Sequence, residues 1–554
     1  MPLSANSTFH GNKVPKLTKF LYPFSTIFRD ACYALVASFL LQYAMTSGVL
    51  SSDPGVFKAQ YGVITAAMMI ALVWDGINDP IMGFIVEKCH FKTGKFKPWI
   101  LLGALGNAIA VLCMFLIRPT SADGTPNGWA FVGCMIAFYF LWDLFFTMND
   151  IGYWSMLPSL SSDEKERASL TSRVTLCASI GGFAMTAAAM LLPQLIQGVS
   201  TAMMYAFLAI GISVLFLLSQ VAVFLFCKER ARDELVEEKE AKSSLLDLFK
   251  VFGKNKQARA SIIAMFLYYL GAGILTGGIG LNFFYMNIGY GSGRGGLVAT
   301  LISIMYVVGM IAAQGSYPAL AKKMKRKKIL RLSLLIQMVG FLGFLLCSVP
   351  LFGDAPLAHS SSPLPPMASM DIPWAFSGTM ALHYIFPLLF FFGMGWMYMV
   401  ILVCFQDSID YNAYVEGDPK ESLISSWRPL TVKLGSALQR GFQFLIFLVS
   451  GVSAAYSQIS SAESEYNIVA ATGGGKEGSP EYEKYVNAIA AAEDSVTAGN
   501  MRVFGIVVVL LLVLSILGAY VAIEKFYTLD EESHAKIVEE LELRKKEEGV
   551  SKEA

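Results

Sequence analysis

Apolar runs recur along this chain, near 25–46, 60–86, 99–117, 129–155, 172–192, 203–227, 260–286, 297–318, 329–349, 380–406, 423–452 and 501–523. A helix needs about 20 consecutive apolar residues to cross the hydrocarbon core of a bilayer. The pattern therefore predicts an all-α polytopic membrane protein of twelve transmembrane helices, with both termini on one side. Spanning β-strands would be about ten residues long with strict alternation, and no stretch reads that way. Composition agrees: 55 % of residues are hydrophobic and 15 % charged, against about 25 % charged in soluble domains.

The polar segments between the runs fix orientation. Lys and Arg gather around 88–97, 165–167, 228–232, 322–328 and in the tail from Lys525, whereas the alternate loops carry few. Basic loops stay in the cytoplasm, so the termini are expected there. The expected organisation is a cytoplasmic N-terminus (1–24), a six-helix bundle (25–227), a charged middle loop (228–259), a second six-helix bundle (260–523) and a cytoplasmic tail (524–554). Two long loops, 350–379 and 453–500, fall on the external side, and 479–495 reads as a short surface helix. The eight cysteines lie mostly inside apolar runs without paired spacing. They read as small buried hydrophobes rather than a disulfide or metal framework. The polar, basic first twenty residues have no apolar core like that of a signal peptide.

Charged residues inside apolar runs carry the chemistry, because a charge in a bilayer is costly and tends to face a cavity or a partner. The densest stretch is Trp74-Asp75-Gly76-Ile77-Asn78-Asp79-Pro80. Asp75 and Asp79 are spaced i,i+4, which puts both on one helix face with Asn78 close by. Two carboxylates that close cannot both stay ionised in low dielectric without help. A monovalent metal cation, a shared proton, or a lysine such as Lys95, Lys97 or Lys433 would supply it. Pro80 removes one backbone donor and is expected to bend the helix. In the fourth run Asp150 and Trp154 are again i,i+4: the acid accepts hydroxyl hydrogen bonds and the indole covers the apolar face of a pyranose, although Trp at a span end also serves as an interface anchor. Asp30 and Arg173 add a second acceptor and a multi-donor group, or pair with each other. Asp143 is left without a role.

The motif Trp74-Asp75-Gly76-Ile77-Asn78-Asp79-Pro80-Ile81-Met82-Gly83, followed by Gly94-Lys95-Phe96-Lys97-Pro98-Trp99, resembles the signature of the glycoside–pentoside–hexuronide:cation symporters. So do Asp150 through Arg173, Asp407-Ser408-Ile409-Asp410-Tyr411, Glu421-Ser422 and Lys433. The resemblance implies a major facilitator fold, two six-helix halves around a central cavity, and alternating access. It places the cation at Asp75, Asn78, Asp79 and Thr147, with Asp75 and Asp79 as the carboxylate ligands. It places the sugar at Arg29, Asp30, Asp150, Trp154, Arg173 and Tyr398. Lys433 would be the coupling residue, and Lys95, Lys97, Glu166, Arg167, Asp407 and Asp410 cytoplasmic gate residues. The chain departs from the pattern in having Arg29 for a lysine, Tyr398 for a tryptophan, Arg428-Pro429 for Gln-Thr and Glu87-Lys88 for Asp-Arg. An added arginine leaves an anionic substrate such as a hexuronide open.

The expected function is cation-coupled symport of a sugar or glycoside across a bacterial inner membrane by a monomer, with no cofactor and no nucleic-acid partner. Sodium is the expected coupling ion, since Asn78 and Thr147 add oxygens that a proton does not need; lithium and H⁺ stay open. The alternative is a cation-coupled lysolipid symporter. An enzyme is not expected: five scattered histidines and no Ser/His/Asp arrangement offer no catalytic constellation.

Overall fold

A computed structural model describes all residues except 1–7, 10–13, 90, 92, 123, 162, 197, 231–244, 292, 352–375, 377, 418–423, 472–473 and 554. Six long helices form the first half: α1 (Lys16–Thr46), α2 (Pro54–Lys88), α3 (Lys97–Leu116), α4 (Gly128–Ser159), α5 (Glu164–Leu195) and α6 (Thr201–Phe226). A short α7 (Leu245–Lys254) leads into the second half, α8 (Lys256–Ala272), α9 (Gly278–Ile288), α10 (Arg294–Ala321), α11 (Arg326–Ser348), α12 (Gly378–Glu416) and α13 (Trp427–Ser450). Then follow α14 (Ser453–Ala471), α15 (Pro480–Asp494), α16 (Ala498–Val521) and a terminal α17 (Glu531–Glu553). The only regular strand pairing among the described residues is a two-residue parallel match of Thr8–Phe9 with Glu229–Arg230. The predicted loop 350–379 and the motif residues Glu421 and Ser422 lie mostly or wholly outside the described residues.

Among the described residues, ten helices are individually long and apolar enough to cross a membrane, or eleven when α13 and α14 are joined across their 97° bend. The sequence pattern predicts twelve. The seventh predicted span, 260–286, is built from α8 and α9, two shorter helices separated by a tight turn at Gly273–Gly277. Glycine-rich sequence (Gly271, Gly273, Gly277, Gly278) breaks the helix there, since glycine lowers helix propensity by about 1 kcal/mol. α2 continues without a break through the position of Pro80 to Lys88.

Helices α1 to α6 pack on one another, α1 against α5 and α6, and α3 against α4 and α6. α8 and α10–α13 form the second group, with α12 held between α10 and α11. Small residues permit the closest approaches: a Cβ on Gly181 of α5 would run into the Ile27 carbonyl of α1. Such small-residue contacts are how helices associate where no hydrophobic effect drives them together. The main seam between the groups is α2 against α13, where Phe444 lies over Gly62 and Leu430 over Gly76.

The stretch 453–500, read as a loop with one surface helix, is mostly helical. α14 and α15 fold back on each other at the end of the bundle opposite the termini, with Tyr466 stacked on Tyr485 (centroids 4.4 Å apart). Glu493 of α15 is half-buried and accepts the Gly291 N–H. Burial, set against hydrogen bonds from the Gly291 and Tyr290 backbone and reinforced by the neighbouring Asp494, pushes its carboxyl up to about 7. The docked helix therefore binds the proton more tightly than an undocked one, and docking weakens as pH rises through about 7. Limited tryptic cleavage at the exposed Lys484 is expected to accelerate from about pH 6 to 8 in the wild type relative to Glu493→Gln; a constant ratio would contradict it.

Candidate functional site

The central site is built by four helices, α1, α2, α4 and α13, each of which contributes charge. Arg29 of α1 is 2 % exposed. Its Nε donates to Asp30 (3.1 Å) and its Nη1 to Asp150 of α4 (3.0 Å). The guanidinium lies over the Tyr153 ring (4.7 Å) and near that of Trp154 (5.4 Å). Below it, Tyr22 and Tyr153 stack at 4.2 Å and each donates its hydroxyl to the other's backbone carbonyl. The planar fork of an arginine suits this position, because it pairs two carboxylates and stacks on aromatic faces at once. Both carboxylates keep partial exposure, 26 % for Asp30 and 38 % for Asp150. The result is a patch of donors and acceptors edged by an indole.

The second cluster lies on the same α4. Thr147 donates to Asp75 Oδ1 (3.1 Å), and Lys433 of α13 bridges Asp75 Oδ2 (2.9 Å) and Asp79 Oδ2. Of the three lysines the sequence offered, Lys433 is the one that meets the pair. Asn78 is buried, and its side-chain amide nitrogen has no hydrogen-bond partner among the described residues. No group of three or more His, Cys, Asp or Glu with metal-binding geometry occurs among the described residues. Asp75, Asp79 and Thr147 bring five side-chain oxygens together around Lys433.

The remaining predicted residues separate into two groups. Tyr398 of α12 lines a cavity of about 480 Å³ with Tyr268, Tyr269, Tyr306 and Gln439, and its hydroxyl accepts a hydrogen bond from Arg428 (2.9 Å). Arg173 does not join Asp30: it is exposed on α5 and lines a separate cavity of about 310 Å³ with Lys19, Glu166 and Ser169. Towards the end that carries the termini, the side-chain pairs of Glu166, Asp407 and Asp410 each brace one half. Glu166 meets Lys19, Asp407 meets Arg326, and Asp410 meets His534 of α17. Burial opposes ionisation of Glu166, but Lys19, Ser161 and the Val14 N–H together hold its carboxyl below the usual range. The backbone N–H groups of Lys95, Phe96 and Lys97 converge on Glu229 (2.8, 3.1 and 2.8 Å), and Lys97 Nζ donates to the Cys227 carbonyl (3.0 Å). Arg167 is exposed.

Two residues gain importance from the fold. Asp143, one turn before Thr147 on α4, is 5 % exposed; it lies within the electrostatic reach of Asp75, Asp79, Lys433 and Arg440, and its Oδ2 has no partner among the described residues. Arg440 is seven residues after Lys433 on α13 and reaches into the first half, to the Ala37 carbonyl (2.9 Å) and the Tyr139 hydroxyl (3.4 Å). The signal for both was a charge within an apolar run.

Removing Lys433 leaves two like charges uncompensated; with Asp79 38 % exposed, solvent screens part of the cost, which stays below the ~3–5 kcal/mol of a fully buried pair. Lys433→Ala is expected to lower the melting temperature, and Lys433→Ala/Asp79→Asn to recover much of the loss. Scanning fluorimetry of the two variants checks this; equal losses in both would show that the pairing is not what stabilises the site.

A family model described as MFS/sugar transport protein matches residues 55–469. The chain is 25 % identical over 518 residues to a lactose permease of Lactobacillus delbrueckii subsp. bulgaricus, covering 93 % of this chain and 70 % of that protein. It is 25 % identical over 443 residues to the raffinose carrier protein of Pediococcus pentosaceus, covering 78 % and 63 %. It thus spans less than two thirds of the latter's length. Among solved structures, a D-xylose–proton symporter shares the fold at a TM-score of 0.52 and 11 % identity, over 80 % of this chain and 95 % of that one. The chain is a multi-pass membrane protein, not an enzyme, and belongs to the MFS/sugar transport protein family.

Proposed function

We propose that this protein carries a sugar or glycoside across the bacterial plasma membrane together with a monovalent cation, by alternating access. Its termini and basic loops then face the cytoplasm. The observation that carries the reading is the position of both clusters on α4: Thr147 holds Asp75, and Asp150, three residues later, holds Arg29. A shift of α4 moves both sites together.

In the proposed cycle Lys433 is the counter-ion of the empty carrier. A sodium ion, or a proton, takes over the neutralisation of Asp75 and Asp79, and Lys433 withdraws. α4 then settles with Asp150 and Asp30 turned to the sugar hydroxyls and Trp154 against the ring face, while Arg29 holds the two acids in place. The cation raises the affinity for sugar, and by linkage the sugar raises the affinity for cation by the same factor. The tyrosine-lined cavity beside α12 gives space for a second sugar unit or an aglycone, with Arg428 at Tyr398 as a donor. The partly exposed carboxylates of Asp30 and Asp150, held by the buried Arg29, favour a hydroxyl-rich substrate over a lysolipid chain, which would cover them without donating hydrogen bonds. The relatives named for lactose and raffinose support a glycoside.

Proteoliposomes holding the purified full chain are expected to accumulate a sugar from a panel of galactosides, pentosides and hexuronides, and to do so faster with an inward sodium or proton gradient. Asp79→Cys is expected to lose the gradient-driven component while retaining sugar binding in a direct assay. Full cation-stimulated accumulation by that variant would remove Asp79 from the cation site.

A further inference from the structure

The pair α14–α15 straddles the end of the matched family region, which falls at residue 469 in the last turn of α14. Yet it holds a polar joint between the two halves. Glu463, on α14, is 0 % exposed. Its carboxylate accepts from the backbone N–H of Thr201 (3.3 Å), from the Thr201 hydroxyl and from the Tyr485 hydroxyl (2.8 Å). Thr201 is the first residue of α6, in the first half, and its hydroxyl also lies 3.4 Å from that of Tyr290. The first N–H groups of a helix have no partner within it, and the helix dipole favours a negative charge there. A carboxylate anchored in the second half thus caps a helix of the first.

Neighbouring contacts follow the same line. Asn467 of α14 donates to the Ser47 carbonyl (2.9 Å), and Ser457 reaches the Ser52 carbonyl (3.5 Å). Gly48, at φ +70°, lies so close to the backbone of Ser464 that no side chain would fit between them. A buried carboxylate is costly, and none of the sugar or cation chemistry uses this one. At the opposite end the side-chain pairs of Glu166, Asp407 and Asp410 stay within their own halves.

We propose that Glu463 is the latch of the outer gate. It is a positioning residue that holds the two halves together on the external face, and its joint to Thr201 must break each time the carrier opens outward. This rests on the reading of the chain as an alternating-access carrier. The latch sets how the carrier divides between its two faces: losing a charge-assisted hydrogen-bond pair is expected to shift that ratio towards the outward-open form on the order of tenfold.

Hydrogen exchange of the full chain in lipid nanodiscs, read by mass spectrometry without sugar, tests it. In Glu463→Ala, peptides from α14 and the first turn of α6 are expected to exchange faster, while peptides around 159–170 at the opposite end exchange more slowly as that face closes. Glu463→Gln, which keeps the size and one acceptor, is expected to fall between this variant and the wild type; it carries the test alone if Glu463→Ala does not fold. Unchanged outer peptides overturn the latch. So does faster outer exchange with no slowing at the other end, because Glu463 would then merely stabilise a cap. The readout needs no substrate, so failure to move any sugar would count against the proposed function and leave this result standing.

Discussion

Charge neutralisation inside an apolar bundle is the constraint on which the centre of this protein depends. Asp30, Asp75, Asp79, Asp143 and Asp150 come from three helices, and the cations that face them, Arg29, Lys433 and Arg440, come from two. An unpaired charge in such surroundings costs several kcal/mol, so each helix is held in register by the partner it must meet. Arg29 ties α1 to α4, and Lys433 ties α13 to α2. In the proposed cycle a competing ion or a polyhydroxylated ligand would replace these electrostatic ties and leave the apolar contacts around them in place.

The same constraint differs at the two ends. Where the termini lie, ion pairs brace each half separately, and α17 returns to pair with α12 through His534 and Asp410. At the far end a buried glutamate joins the halves through the N-terminus of a helix, with Asn467 and Ser457 beside it. A rocking carrier has use for both arrangements: rigid halves and a joint between them that can open.

The spans and their charged residues were legible in the sequence because both signals are local. Twenty apolar residues fold as a helix in a bilayer whatever surrounds them, since every backbone group must be paired within the segment. The i,i+4 pair Asp75 and Asp79 states its own geometry, and the symporter motif around it led to the family. The α8–α9 break was less visible: glycines mark where a helix can break, while packing decides whether it does.

Pairing lay beyond the sequence, because it depends on which helices meet. Arg29 appeared there as a sugar-site residue standing in for lysine, not as the residue that holds Asp30 and Asp150; Arg173, the partner offered for Asp30, lies on another cavity. Lys433 was one of three lysines offered to Asp75 and Asp79, and only the packing of α13 on α2 selected it. Glu463 was one of many acidic residues in a stretch read as a loop. The sequence by itself determined a bundle of membrane helices with charges at stated heights. The tertiary structure decided which charges neutralise one another, because the cost of a buried charge is removed only by a partner within a few ångströms, and that partner stands on another helix.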